Sequence, residues 1–171
     1  MARGDFRLYS PSDDQISIRA IVGSGTAQSI NAGEPTIGAD ANAASWTGAV
    51  KIAADADPTT ASGHRFTGIA KSDSSDTVAA AGYVDVWLPI PATIYAGKSK
   101  SATATDTQAE IDALKFKRVV FDLTSTTWSV DTAAADALTN GVLIVGGDYT
   151  KSMVYFMIAT NVSVFGNTIS A

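Results

Sequence analysis

The sequence predicts a mainly β protein: a single compact β-sandwich or barrel-like domain with one short helix and an extended N-terminal arm. Many segments rich in β-branched or aromatic residues end at Gly, Pro, Asp or Asn, which is typical of strands bounded by turns. Only one segment has strong helix-capping chemistry. The 171 residues have the length of one domain. We assign residues 1–14 to the arm and 15–171 to the β-rich domain.

The arm is predicted from a short extended segment and the turn that follows it. Phe6 and Leu8 alternate with Arg7 and Tyr9, and residues 10–14 have strong turn chemistry. Such a segment can add a strand to the exposed sheet edge of a neighbouring molecule. We hypothesise that the arm becomes ordered only on such a neighbour; the alternative is a frayed terminus with no partner.

The next segments are a strand, a turn and a long run of small residues. Alternation predicts a strand over 15–22, and the Gly-Glu-Pro turn within 32–35 leads into a second strand at 36–37. Residues 39–64 are rich in Ala, Ser, Thr and Gly, with one short strand expected around 49–53. Long connections of this kind usually have a function. This one is therefore an interaction surface, an insertion held by its neighbours, or a solvated loop.

Strand signals are dense after residue 65. Tyr83, Asp85 and Trp87 alternate with apolar residues, so one face of that strand is fully apolar. Pro89 and Pro91 cannot donate to a strand ladder and are expected at the edge or exit of a sheet. The predicted strands cover 66–70, 77–80, 83–88, 118–124, 127–130, 142–145, 151–158 and 162–165.

One helix is predicted after Thr107. Thr107 and Glu110 have the spacing of a capping box, in which each side chain accepts a hydrogen bond from the backbone of the other. Ile111 and Leu114 then lie on one apolar face of a helix of about nine residues. A second helical turn is possible over the Ala-rich residues 132–138, before a Gly that favours termination.

Composition argues against several functional classes. Ala, Ser and Thr make up 65 of the 171 residues, and the net charge is −5. Nucleic-acid binding needs clustered Lys and Arg, which are sparse here. There is no cysteine for a disulfide, a thiolate metal site or a nucleophile. No stretch approaches a membrane span, so we expect a protein kept soluble in the cytoplasm of the producing cell.

Candidate catalytic and metal-binding residues are few. His64 is the sole imidazole, and a hydrolase would need it as its base; a histidine at the surface or anchoring a loop is the simpler interpretation. Three groups of carboxylates lack the Gly and Glu spacing of a calcium loop, and we interpret them as turn formers. These groups are Asp13-Asp14, Asp55 with Asp57, and Asp73 with Asp76.

Cofactor binding is not predicted either. The Gly-rich stretches at 23–25 and 146–148 lack the Lys and the following helix of a phosphate-binding loop. Trp46, Trp87 and Trp128 are far apart in the sequence, and packing in a core or interface is their expected use. We therefore expect no cofactor and no metal.

Three segments together resemble a known family. They are Ala-Gly-Glu-Pro at 32–35, Phe-Thr-Gly-Ile-Ala-Lys-Ser-Asp at 66–73, and Thr-Val-Ala-Ala-Ala-Gly-Tyr-Val-Asp-Val at 77–86. Their order is similar to that in the capsid decoration, or cement, proteins of tailed bacteriophages. Glycines there allow tight turns, and Gly82 is expected where a strand bends. This chain departs from the family by placing a long run of small residues before Gly68.

The resemblance implies a non-enzymatic structural protein of the virion. It implies a β-tulip-like domain that forms a homotrimer on the capsid surface, after assembly in the host cytoplasm, and stabilises the lattice of the major capsid protein. Several modest contacts per trimer suffice for such binding because they act together. The candidate capsid contacts lie in the arm: Arg3, Phe6, Arg7, Leu8 and Tyr9.

Other functions fit the same pattern. A phage tail or baseplate β-module would also be dense in strands and rich in small residues. A β-sandwich carbohydrate-binding domain could use Trp46 or Trp87. A hydrolase built on His64 is a further alternative.

Overall fold

The described part of the chain is mainly β, as predicted. The computed structural model describes residues 6–10, 16–22, 29–39, 49–61, 63–77 and 80–165. The strands are β1 (Arg7–Ser10), β2 (Ser17–Val22), β3 (Pro35–Gly38), β4 (Ala49–Ile52), β5 (Phe66–Ala70), β6 (Gly82–Trp87), β7 (Ile94–Lys98), β8 (Arg118–Val119), β9 (Phe121–Thr124), β10 (Thr127–Val130), β11 (Val142–Asp148) and β12 (Met153–Ile158). Helix α1 covers Gln108–Leu114, and short 3₁₀ turns lie at Ala102–Ala104, Tyr149–Lys151 and Thr160–Val162.

Five strands close into a small barrel in the order β2-β4-β3-β5-β6. β2 and β4 are parallel, and the other described pairs are antiparallel. The barrel is small enough for side chains to fill it, and alternation along β6 sends Val84 and Val86 inward, as predicted. Its buried interior is lined by Ala20, Val22, Ile30, Val50, Ala70, Val84 and Val86.

A second, antiparallel sheet has the strand order β1-β7-β12-β11-β8, and β9 and β10 form a separate hairpin. The larger core lies against this sheet. Ile37, Phe66 and Ile69, from the barrel strands β3 and β5, belong to that larger core. The side chain of Ile52 packs against both cores, so the barrel and the sheet share apolar packing.

The segments that resemble the phage proteins meet in space. Gly33 donates its backbone N–H to Ala70 O (2.7 Å), and Ala70 donates to Glu34 O (2.9 Å). The acidic turn then closes over them, because Asp73 accepts a hydrogen bond from the backbone N–H of Ala32 at 2.8 Å. The segment at 73–76 links antiparallel β5 and β6, as expected for a strand connection, and also holds the Gly-Glu-Pro turn in place.

The described part of the segment at 39–64, rich in small residues, contributes a strand to the barrel and contacts the β9 segment. The predicted strand at 49–53 is observed as β4, which lies between β2 and β3 in the barrel. After it, Asp55 accepts a hydrogen bond from the backbone N–H of Leu123 (2.9 Å). Phe121 donates its backbone N–H to the carbonyl oxygen of Asp57 (2.7 Å). This part is therefore an insertion held by its neighbours, one of the three options; residues 40–48 and 62 lie outside the described residues.

Helix α1 begins where the capping box predicts. The Thr107 side chain accepts a hydrogen bond from the Glu110 backbone, and the Glu110 side chain accepts one from the Thr107 backbone. Ile111 and Leu114 are buried, as the spacing indicated. The helix is seven residues long rather than about nine, since the chain leaves helical geometry at Lys115.

Several predicted elements were wrong. Residues 132–138 are not helical: the chain turns at 132–133, where the Asp131 carboxylate accepts a hydrogen bond from the Ala133 backbone (3.1 Å), and 135–137 are irregular. Asp competes for backbone N–H groups in this way and favours turns over helices. The predicted strand at 162–165 is the end of a 3₁₀ turn followed by a single bridge from Ser163 to Phe66. Residues 77 and 80 form only an isolated bridge.

Strand β7 was not predicted, although it lies inside the five-stranded sheet, between β1 and β12. Its Ala96 and Gly97 lack the β-branched side chains that favour a strand assignment. Gly97 is required by packing, since a Cβ there would lie 2.4 Å from the Phe6 ring. The predicted strand at 118–124 is split into β8 and β9, because the carbonyl oxygen of Val120 accepts from Asp131 outside the ladder.

An ion cluster joins β9 to the segment after β7. Lys100 Nζ lies 2.6 Å from Asp122 Oδ1 and 3.1 Å from Asp131 Oδ2. Burial alone would raise the pKa of Asp122, but hydrogen bonds from Lys100 and Thr124 outweigh it and lower that pKa. The hydrogen bonds to Asp122 and Asp131 raise the pKa of Lys100.

We expect Lys100→Met to lower the urea midpoint of unfolding at pH 7, because it leaves the carboxylate of Asp122 buried without its cation. A carboxylate with a lowered pKa contributes stability above its unfolded pKa and loses it as pH falls through the folded pKa. The difference between wild type and variant should therefore shrink below about pH 4. Urea unfolding of wild type and Lys100→Met at pH 7 and at a pH below about 4 tests this prediction, with the exposed Lys71→Met as control. A difference in midpoint that is the same at the two pH values would contradict it.

Candidate interaction surface

The described part of the arm is bound to its own chain. β1 pairs antiparallel with β7, with Arg7 opposite Ala96 and Leu8 opposite Tyr95. The sheet edge that we expected a neighbouring molecule to supply is thus supplied by β7. Arg3 lies outside the described residues.

The predicted alternation along the arm is observed, and it divides the candidate capsid contacts of the arm into buried and exposed side chains. Phe6 is only 3% exposed, and its ring centroid lies 4.6 Å from that of Phe121. Leu8 is partly buried against the same core. Arg7 and Tyr9 point outward and are exposed. Among these four candidates, Arg7 and Tyr9 can therefore contact a partner directly, whereas Phe6 and Leu8 hold the strand in place.

The outward side chains of β1 lie among residues from two other strands. The Tyr9 ring stacks on that of Tyr155, with centroids 3.9 Å apart and planes 20° apart. Arg7 Nη2 lies 3.4 Å from Met153 Sδ. Lys98 is exposed and pairs directly with Met153 across the ladder. We call this surface the β1 face and define it as Arg7, Tyr9, Lys98, Lys151, Met153 and Tyr155.

The β1 face carries three cationic side chains beside the stacked rings of Tyr9 and Tyr155. Lys151 Nζ lies 2.8 Å from Asp148 Oδ2, which raises the pKa of Lys151 and lowers that of Asp148. Burial, and then the hydrogen bond with Tyr9, raises the pKa of Tyr155. The Tyr155 phenol is therefore uncharged at neutral pH. Three cations and the paired Asp148 give the surface a positive excess in a chain of net charge −5.

Sequence reasoning found two of the six residues of the β1 face. Lys151, Met153 and Tyr155 were assigned only to the strand at 151–158, whose residues 153–158 are all apolar or aromatic and give no sign of which side faces outward. Lys98 lies in the strand that was not predicted. Only the pairing of β1, β7 and β12 brings these residues beside Arg7 and Tyr9.

A second exposed surface lies on the barrel, where β2 pairs with β6. Ile21 is opposite Tyr83, and both are exposed. Arg19 Nε lies 3.1 Å from Asp85 Oδ1 beside them. An open depression of about 230 Å³ adjoins this pair, lined by Arg19, Ser72, Asp73, Ser75, Tyr83 and Asp85.

His64 is positioned as a loop anchor. Its Nδ1 lies 3.0 Å from the carbonyl oxygen of Gly38, and its Nε2 lies 3.2 Å from Lys51 Nζ. These contacts tie the segment before β5 to the ends of β3 and β4. They match the simpler interpretation of this histidine given above.

Three of the carboxylates that were considered as metal ligands bind backbone groups. Asp55 and Asp73 accept the bonds given above, and Asp57 accepts from the Ala54 backbone N–H (2.9 Å). Within the described ranges, no three His, Asp or Glu side chains are grouped closely enough to hold a metal ion. Asp13 and Asp14 lie outside these ranges.

The tryptophans that were considered for carbohydrate binding are packed where they are described. Trp87 is half-buried against the larger core, and Trp128 is fully buried in it. Trp46 lies outside the described residues. None of the helices in the described part of the chain is long and apolar enough to span a membrane.

Comparison with known proteins gives no match: no protein-family model, no curated protein and no solved structure is similar to this chain. The resemblance to phage decoration proteins therefore depends on the residues of the three segments alone.

Proposed function

We propose that this chain is a structural protein of a tailed-phage virion that binds the outside of the capsid. It stabilises the lattice of the major capsid protein, acts as a homotrimer, and works through contact rather than through a reaction. One observation carries the proposal: the three segments of the resemblance form the neighbouring barrel strands β3, β5 and β6 with their connecting turns. Hydrogen bonds between Ala32 and Asp73 and between Gly33 and Ala70 join those turns.

The exposed surfaces are compatible with this function. The β1 face and the barrel surface at Ile21 and Tyr83 carry apolar and charged side chains that a partner can contact. A trimer that presents three copies of one surface to a repeating lattice converts later contacts into intramolecular events. A modest β1 face is therefore enough for firm attachment. In the virion this attachment would follow assembly in the host cytoplasm.

Sedimentation with capsids tests the proposal. Purified protein is mixed with expanded empty heads built from the major capsid protein encoded with this chain, and the pellet is assayed for bound chain. We expect the chain to sediment with the heads at saturable occupancy and to raise the temperature at which the heads disrupt. Heads of an unrelated phage serve as the control.

Failure to sediment would contradict the proposal. Binding to isolated tails or baseplates instead would favour a tail or baseplate β-module. Binding on a glycan array would favour a carbohydrate-binding domain. Light scattering of the free protein measures its mass in solution and reports whether the trimer forms before it meets the capsid.

A further inference from the structure

The β1 face has a spacing of positive charges set by the sheet. Arg7 is opposite Ala96 on β7, and Lys98 lies two residues further along that strand on the same side. Arg7 and Lys98 are thus diagonal neighbours on adjacent strands, a pair that lies about 7–8 Å apart. The side chains of Arg7 and Lys98 therefore leave the sheet at points separated by about the distance between alternate residues of an extended chain.

Each cation is available to an acidic partner in a different way. Arg7 donates from Nη2 to a sulfur, which is a weak acceptor, so its guanidinium can still donate two parallel hydrogen bonds to a carboxylate. Lys98 is exposed. Lys151 is shared with Asp148, so a partner carboxylate would have to compete for it. Arg7 and Lys98 are therefore the primary charges of the surface.

The aromatic pair supplies apolar contact beside these charges, because β1 runs antiparallel to β7 and Tyr9 lies on the side of Arg7 away from Lys98. Tyr9 is 48% exposed, and Tyr155 is half-buried beneath it. Tyrosines offer large contact area at low entropic cost and are enriched in protein interfaces. An apolar patch with charged side chains at its border matches the usual anatomy of a protein interface.

The small number of cations selects a protein over a nucleic acid as the partner. A nucleic acid is bound through many phosphate contacts, and the β1 face offers three cations, of which Lys151 is already paired with Asp148. A protein partner need only match charges within the contact, since charges further apart than about 8 Å are largely screened at physiological salt.

We propose that the β1 face docks an acidic protein segment in extended conformation, with carboxylates at alternate residues paired to Arg7 and Lys98 and with the part of the segment beyond Arg7 lying on Tyr9 and Tyr155. This inference rests on the proposed function for the identity of the partner, which would be an acidic segment of the major capsid protein. The chemistry of recognition is carried by the β1 face itself.

An NMR titration tests the docking chemistry without a capsid. The probe is a synthetic peptide of alternating Glu and Thr, and the matched control peptide has Gln in place of each Glu. We expect the Glu peptide to shift the amide resonances of Arg7, Tyr9, Lys98 and Tyr155, and we expect higher salt to weaken this binding. The doubly charge-reversed variant Arg7→Glu with Lys98→Glu should bind at least about tenfold more weakly.

Lys71→Glu is the control variant, because Lys71 is exposed on the barrel and the substitution reverses one positive charge away from the β1 face. It should bind the peptide as wild type does, and thermal melts should show that both proteins remain folded. The inference is overturned if the Glu peptide causes no shifts at about 1 mM, a concentration that detects even weak binding. Equal binding of the Gln peptide, or unchanged affinity of the double variant, overturns it as well.

The capsid experiment separates this inference from the proposed function. If heads bind wild type and the double variant equally, the chain is a decoration protein that does not use the β1 face. If the Glu peptide binds as expected but heads do not bind, the docking chemistry holds and the capsid is not the partner.

Discussion

The substitution Phe6→Ala is expected to lower the free energy of unfolding by about 3–5 kcal/mol, the usual cost of removing a buried aromatic ring. Phe6 lies in the core, with its ring 4.6 Å from Phe121 and 5.4 Å from Phe156. Gly97 leaves the space that this ring fills. Urea or thermal unfolding of the purified variant measures the effect.

Phe116→Ala is the matched control, since Phe116 is 75% exposed. It should change stability by less than about 0.5 kcal/mol. If Phe6→Ala unfolds like wild type, residues 6–10 do not contribute to the fold of the free protein. The hypothesis of an arm that is ordered only on a neighbouring molecule would then be restored.

The second large effect is expected at Gly68, in the segment that resembles the phage proteins. Its φ is +152°, which side chains rarely adopt, and a Cβ there would lie 2.1 Å from the carbonyl oxygen of Trp87. Strain of this kind and overpacking each cost about 1–3 kcal/mol, so Gly68→Ala should destabilise the protein by roughly 2–5 kcal/mol.

Gly146→Ala is the matched control for that variant. A Cβ at Gly146 would meet its nearest atom, Tyr155 Cδ2, at an ordinary 3.7 Å. It should cost no more than about 1 kcal/mol. If the two variants have similar unfolding midpoints, the close approach of β5 to β6 is not a constraint on the fold.

The local parts of the fold could be predicted from the sequence. Alternation in β6 and the capping box before α1 are signals within a few residues, and both were confirmed. β7 lacked such a signal, because its place between β1 and β12 depends on Gly97 receiving the Phe6 ring from a distant segment. The helical turn predicted at 132–138 failed for the opposite reason: Ala favoured a helix, while Asp131 bonded the backbone in a turn.

The β1 face could be predicted only in part, because it too depends on contacts between segments that are distant in the sequence. Sequence alternation separated Arg7 and Tyr9 from the inward Phe6, but it could not show that the inward side would pack in the protein's own core. Tyr155 became part of the surface only through the ladder that places β12 beside β7. Surfaces assembled from distant strands require the pairing to be known first.

The position of Phe6 also has a mechanical consequence. Its backbone N–H bonds the carbonyl oxygen of Gly33 in the barrel at 3.1 Å, while its ring is embedded under the five-stranded sheet. A force applied to the start of the chain is therefore shared between both halves of the molecule at a single residue. A load that pulls outward on β1 must open the sheet edge and break the tie to the barrel before the strand can be extracted.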